Sequence, residues 1–348
     1  MIKVLVVEDS PVVREFLVHV LSSDPEIKVV GTATDGEDAL EALKETAPDV
    51  VTMDIHMPKM DGFEATRRIM ETSPTPIVIV TGSSEPGEVG TSFRAMEAGA
   101  LAVVPRPQGI GHPEFEASAK ELQTTVKLMS EVKVVRRWNR TRRVQLAPAG
   151  PKVEIKRESR PAQVVGIGAS TGGPIALQTI LSGLKKDFPV PVLVVQHMAA
   201  GFTEGFIEWL NHTSGPEVRL AVHGDLILPG HVYVAPDGLH MGVKTTGRIA
   251  LSQDPPENGL RPSVSFLFRS LAQSYGPRAV GILLTGMGRD GAEELKLMRE
   301  RGAVTLAQDE ESSVVYGMPG AAIKLDAAQY VLAPEKIVAA LHALTNNG

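Results

Sequence analysis

The sequence predicts an α/β protein built from two doubly wound parallel-sheet domains joined by a linker. In both halves of the 348 residues, short apolar runs of strand length alternate with stretches whose apolar residues repeat at helical spacing. Between the halves lies a segment dense in arginine and proline with little periodicity. The length favours two domains, and 43% apolar with 22% charged residues suits domains that bury real cores. No apolar run reaches about 18 residues, so no membrane-spanning helix is expected. The opening MIKVLVVED meets acidic residues too early for a secretory signal. The chain has no cysteine, which excludes disulfides, a thiolate zinc site and a cysteine nucleophile, and fits the cytoplasm. A net charge of -6 argues against a general nucleic-acid binder, and the second half shows no basic recognition helix.

The first domain is read over residues 1–118. IKVLVVED, KVVGTAT, DVVTMDI, PIVIVTG and LAVVPRP form a parallel sheet; VVREFLVHVLSS, DGEDALEALKET, GFEATRRIMET and EVGTSFRAMEAG are the intervening helices. Residues 115–138 read as a longer helix leaving the domain. Residues 119–161 comprise that helix and the linker, including RRWNRTRRVQLAPAGPKVEIKRESRPAQ, read as a solvated basic connector, with a docking strip for an acidic partner as the alternative. The second domain, 162–348, opens on the strand QVVGIG. PVLVVQH and AVGILLTGM are strongly apolar strands, while HVYVAP and RIALSQ are more polar and spaced like a hairpin at a sheet edge. No repeat of solenoid period is present.

Glu8 and Asp9 end the first strand, Asp54 the third and Thr81 the fourth. Carboxyl ends of parallel strands share one edge, where ligands bind. Three carboxylates crowded there repel one another unless a cation joins them, and oxygen-only ligands suit Mg²⁺. Such a cation would make Asp54 a usable phosphate acceptor; singly, Asp9 or Asp54 could equally cap a helix or turn. VVEDSPVVRE, MDIHMPKMDG and VTGSS resemble the response-regulator receiver domain, which has a flavodoxin-like fold. The resemblance implies phosphorylation at Asp54, Mg²⁺ held by Glu8, Asp9, Asp54 and the carbonyl of His56, and a hydrogen bond from Thr81 to the phosphoryl group. VVPRP departs from the pattern by placing Arg106 where receivers usually carry lysine. The charge survives as a planar fork rather than a point charge, so phosphorylation is expected with weaker onward activation.

VVGIGASTGGP, residues 164–174, can be parsed as a G-x-G dinucleotide turn or as a G-x-S-x-G nucleophile elbow around Ser170. A dinucleotide site wants an acidic residue at the end of the second strand, but PVLVVQH ends in Gln196 and His197. His197 instead stands where a base would serve an elbow serine, and AVGILLTGM leads into GRDGAEELKLMRERG, bringing Asp290 to the same edge. Asp290 with Glu293 also reads as a helix cap, and His197 as a strand-end histidine satisfied by backbone. Two glycines and Pro174 after Ser170 are expected to leave amide groups free near the hydroxyl, with TGMG as a second flexible turn.

GIGASTGGP, QHMAAGFTEGF, YVAPDGLHM, RPSVSFLF, TGMGRDGA and YGMPGAA run in the order found in the CheB methylesterase domain of bacterial chemotaxis. The resemblance covers nearly the whole chain apart from the linker and implies a Rossmann-like α/β catalytic domain. It carries the catalytic triad onto Ser170, His197 and Asp290, the oxyanion donor onto the Met287 amide, and Thr171 to a place beside the nucleophile. His240 and Arg261 lie in family motifs without a catalytic role. Ala199 and Ser265 depart from the family's pattern at positions expected not to touch the triad. The implied activity is hydrolysis of glutamate γ-methyl esters on chemoreceptors, with glutamine deamidation by the same chemistry and no cofactor beyond Mg²⁺ for phosphorylation. The implied partners are receptor cytoplasmic domains and a histidine kinase of the CheA type, with the protein monomeric and the receiver covering the catalytic edge until Asp54 is phosphorylated. The rival reading is a non-catalytic response-regulator scaffold that retains the esterase fold.

Overall fold

A computed structural model describes residues 1–82, 86–132, 134 and 161–345. Most of the basic linker, 135–160, lies outside the described residues, as do Ser83 and Ser84 of VTGSS. The chain divides into two compact units, Met1–Ala149 and Gly150–Gly348.

The amino-terminal unit runs β1 Ile2–Val7, α1 Pro11–Ser22, β2 Ile27–Ala33, α2 Gly36–Thr46, β3 Val50–Met53, α3 Gly62–Thr72, β4 Ile77–Thr81, α4 Pro86–Ala98, β5 Ala102–Pro105 and α5 Phe115–Ser130. Its five strands pair in parallel in the order β2-β1-β3-β4-β5. Every residue of β3 and β4 is buried, as expected for strands covered on both faces. Proline opens α1, and the Asp35 and Asp61 carboxylates cap α2 and α3 by accepting first-turn amides. The helix expected over 115–138 ends at Ser130. Its buried stripe of Leu122, Val126 and Met129 would next require an apolar residue near position 133, where the sequence has lysine.

The carboxy-terminal unit runs β6 Val164–Ala169, α6 Gly173–Ser182, β7 Val192–Gln196, α7 Thr203–Thr213, β8 Glu217–Leu220, β9 His231–Val234, β10 His240–Val243, β11 Ile249–Ser252, α8 Val264–Ser274, β12 Ala279–Leu283, α9 Ala292–Glu300, β13 Val304–Gln308, α10 Met318–Lys324, β14 Tyr330–Leu332 and α11 Pro334–Thr345. Seven strands form one parallel sheet, ordered β14-β13-β12-β6-β7-β9-β8. The expected hairpin of HVYVAP and RIALSQ is not formed. HVYV is β9, an interior parallel strand between β7 and β8; IALS is β11, paired antiparallel with β10 in a separate two-stranded ribbon. Polarity misled the sequence reading here, because Tyr233 is fully buried and its hydroxyl is satisfied, donating to Leu226 O and accepting from Leu228 N. Among the described residues no helix is long and apolar enough to cross a membrane.

The two glycines of the GIG run have a packing role. A Cβ on Gly166 would lie 2.3 Å from Leu271 Cδ1, and one on Gly168 would lie 2.3 Å from Val264 Cγ1, so bare backbone lets α8 lie directly on β6. Val264 is β-branched and cannot swing aside. Gly168→Ala is therefore expected to lower unfolding free energy by about 1–3 kcal/mol through overpacking, read from urea denaturation; an unchanged midpoint would show that α8 adjusts freely.

Candidate active site

Parallel pairing carries Ser170 and His197 to one edge. Ala169 of β6 is in register with Gln196 of β7, and the His197 amide donates to Ala169 O at 2.9 Å, so the serine and histidine are the next residues on adjacent strands. After Ser170 the chain turns through Gly172, whose φ of 77° is a left-handed conformation, into α6. From the other flank, β12 continues into Thr285, which accepts the Ser170 amide at 3.0 Å and donates its hydroxyl to Thr171 O at 2.9 Å. The absent side chain of Gly286 makes room for the nucleophile: a Cβ there would fall 2.6 Å from Ser170 Cβ.

Asp290 is almost wholly enclosed, its side chain 2% exposed. Ser263 Oγ donates to Oδ1 at 2.9 Å, the Ser265 amide to Oδ1 at 3.1 Å and the Val264 amide to Oδ2 at 2.7 Å. His197 Nε2 stands 3.0 Å from Oδ2, in close electrostatic contact. Burial by itself raises the carboxyl, but the imidazole, Ser265 and the Val264 amide outweigh it and hold Asp290 at about 2, ionised at neutral pH. Asp290 thus caps a helix, but not the one the sequence suggests. It receives the first amides of α8, while α9 starts behind Gly291 with no side-chain cap. Ser265 also touches the carboxylate it was expected to miss, and its hydroxyl accepts the Gly291 amide at 3.0 Å. The cause is the fold of 261–265 back across the end of β12, which sequence separation concealed.

With Nε2 facing Asp290, Nδ1 is the imidazole nitrogen left for the serine. The Ser170 hydroxyl makes no hydrogen bond to a described residue; in free enzymes this contact commonly closes only around substrate. Of the amides expected to be free, that of Gly173 donates to Ser170 O at 2.8 Å and Pro174 has none. The amides of Thr171, Gly172 and Met287 have no acceptor among the described residues, and Met287 is 50% exposed. These are available donors for a developing oxyanion. His240 is wholly buried and stacked on Phe266, and Arg261 binds the carbonyls of Gln253 and Asp254; neither joins the cluster. Ser263, Thr285 and Gln196 were missed as site residues, since a serine, a threonine and a glutamine carry no signal before their partners are known.

In the amino-terminal unit, Glu8, Asp9 and Asp54 bring one carboxylate oxygen each to within 4.8 Å of one another. Glu8 is pushed up to about 7, first by burial and then by the neighbouring Asp54 charge; burial likewise raises Asp54. Arg106 Nη2 lies 3.6 Å from Glu8 Oε2, and its guanidinium packs over Gly82, where a Cβ would meet Cζ at 2.8 Å. The Arg106 amide donates to Thr81 O at 2.7 Å, and the His56 amide to Asp54 Oδ2 at 3.1 Å. Buried Glu8 Oε2 has no hydrogen-bond partner among the described residues. Carboxylate oxygens compensated only in part by Arg106 fit a hard divalent cation.

Comparison with known proteins finds relatives of both units. Residues 165–341 match the CheB methylesterase family, and residues 4–112 match the response regulator receiver domain. A protein of Nitrosospira multiformis named protein-glutamate methylesterase/protein-glutamine glutaminase is 61% identical over 98% of this chain and 96% of its own. A protein of Geobacter metallireducens with the same designation, numbered 4, is 57% identical over 99% of each. The crystal structure of the Thermotoga maritima CheB methylesterase catalytic domain superposes with a TM-score of 0.51 at 38% identity, covering 52% of this chain and 98% of that one. A receiver domain followed by a strand-edge serine, histidine and buried aspartate, together with full-length identity of this order, means that the chain belongs to the CheB methylesterase family.

Proposed function

We propose that the protein hydrolyses glutamate γ-methyl esters on chemoreceptor cytoplasmic domains, with Ser170 as nucleophile, His197 as base and Asp290 as the group that orients and stabilises the imidazole. The observation that carries this is the ionised, enclosed Asp290 carboxylate 3.0 Å from His197, which follows Gln196 as Ser170 follows its ladder partner Ala169. His197 Nδ1 takes the Ser170 proton as Oγ bonds to the ester carbon, and the oxyanion is met by the Met287 and Thr171 amides. Collapse breaks the C–O bond, the imidazolium returns its proton to the leaving methoxide, and methanol departs. Water then attacks the acyl-enzyme through the same base, releasing glutamate and free Ser170. A glutamine side chain would follow the same path with ammonia leaving. A non-catalytic scaffold would need Asp290 only as the cap of α8, with no use for an imidazole 3.0 Å away.

The amino-terminal acidic set is read as the regulatory site. Glu8, Asp9, Asp54 and the His56 carbonyl would hold Mg²⁺, which would supply charge neutralisation for phosphorylation of Asp54 by a histidine kinase of the CheA type. Thr81 and Arg106 would contact the phosphoryl group, in a cytoplasmic protein whose receptor substrates lie in signalling arrays.

Ser170→Ala should abolish methanol release from methylated receptor membranes. Asp290→Asn should lower turnover by up to about 10⁴-fold, the wrong-tautomer effect known from serine proteases. Because it also turns an amide towards three donors, it should lower the thermal midpoint. A loss under tenfold would leave Asp290 a helix cap alone. In metal-free protein, the raised Glu8 carboxyl contributes stability that is present below its ordinary value of 4.5 and lost as pH rises to about 7. Glu8→Gln should remove that slope, and Mg²⁺ should raise the wild-type midpoint above pH 7 but not below pH 4.5, by differential scanning calorimetry. Asp54→Asn in the full chain should leave methanol release at its basal rate and unresponsive to an acyl-phosphate donor.

A further inference from the structure

We propose that Gln196, whose hydrogen bonds go to the main-chain carbonyls of Ser170 and His197, is a positioning residue that sets the separation of nucleophile and base. The inference rests on the reading of Ser170 and His197 just given. Gln196 is buried at the last position of β7. Its Nε2 donates to Ser170 O at 2.9 Å and to His197 O at 2.8 Å. Two carbonyl oxygens can be satisfied together only by an NH₂ group, so the chemistry dictates which way the carboxamide faces. The bridge follows directly on the final ladder contact, His197 N to Ala169 O, and extends the pairing of β6 and β7 one residue into the loops. Thr285 secures the Ser170 turn to β12 but makes no bond to His197, whereas Gln196 holds both members.

The other end of the carboxamide shows how much the arrangement sacrifices. Gln196 Oε1 is buried without a hydrogen-bond partner among the described residues. It lies over Gly173, where a Cβ would stand 2.1 Å away, in the positive field at the start of α6. An unpaired buried acceptor is costly, and its retention here keeps both donors on the two catalytic residues. An apolar side chain would fill this space without that cost, and would leave the two loops untied.

The test compares Gln196→Met, which keeps length and loses both donors, with Gln196→Glu, which keeps shape. Above its titration the glutamate offers only acceptors to two carbonyls; once protonated it restores one donor. Gln196→Met is expected to lower kcat by about 10- to 100-fold, the scale of a small misplacement, with KM within about twofold of wild type. Labelling of Ser170 by an organophosphonate ester should slow by the same factor. Gln196→Glu should recover activity relative to wild type as pH falls, a signature that mere packing would not produce. Unchanged kcat and labelling in Gln196→Met, or a pH profile of Gln196→Glu parallel to wild type, would overturn the inference. Should Gln196→Met fail to fold, the Gln196→Glu profile decides alone. Ser170→Ala separates the two levels: retained activity there defeats the nucleophile assignment, while an inactive Ser170→Ala beside a normal Gln196→Met defeats only the positioning role.

Discussion

A carboxylate with 2% of its side chain exposed must be compensated by its surroundings, and the catalytic unit is organised around that constraint at Asp290. Leaving one charge buried without partners would cost several kcal/mol. Three donors from residues 263–265 and the imidazole of His197 supply the compensation. The donors are available because α8 begins there, and α8 begins there because Gly166 and Gly168 allow it to lie against the backbone of β6. One buried charge thus ties together a helix start, a close helix–strand contact and the place of the His197 imidazole.

The amino-terminal unit meets the same problem differently. Glu8 and Asp54 are also drawn away from water, but few internal donors converge on them, and Glu8 is left at about 7 where Asp290 sits at about 2. Internal compensation gives a permanently ionised residue suited to orienting a base. Incomplete compensation gives a cluster that is electrostatically unsettled until a cation or phosphoryl group arrives. Arg106 offsets part of this charge from 3.6 Å, with its planar head accommodated by Gly82.

The parallel sheet turns these local features into a site. Ladder register decides that Ser170 follows Ala169 opposite Gln196 and His197, and Thr285 and Gln196 hold the serine turn from its two flanking strands. The network continues outward, since the Thr285 amide is held by Gln308 Oε1 at the end of β13. Rigid strand ends therefore locate Ser170 and His197, while Asp290, in the segment between β12 and α9, is located by its bonds to residues 263–265.

The sequence by itself determined the fold class, both sheet edges and the residues that end the strands. Apolar periodicity and strand-end chemistry are local properties that neighbouring residues carry. It misassigned HVYVAP because a buried tyrosine with a satisfied hydroxyl reads as polar, and it overextended α5, which ends at Ser130, because apolar residues persist in the sequence beyond that point. Only the tertiary structure decided that Asp290 caps α8, that Ser265 meets the Asp290 carboxylate and that Gln196 spans Ser170 and His197. The bonds of Asp290 to Val264 and Ser265, and of Gln196 to Ser170, join residues 25 or 26 positions apart, with partners set by strand register or by helix packing. Serine, glutamine and threonine are common enough to carry no meaning until that packing assigns their partners.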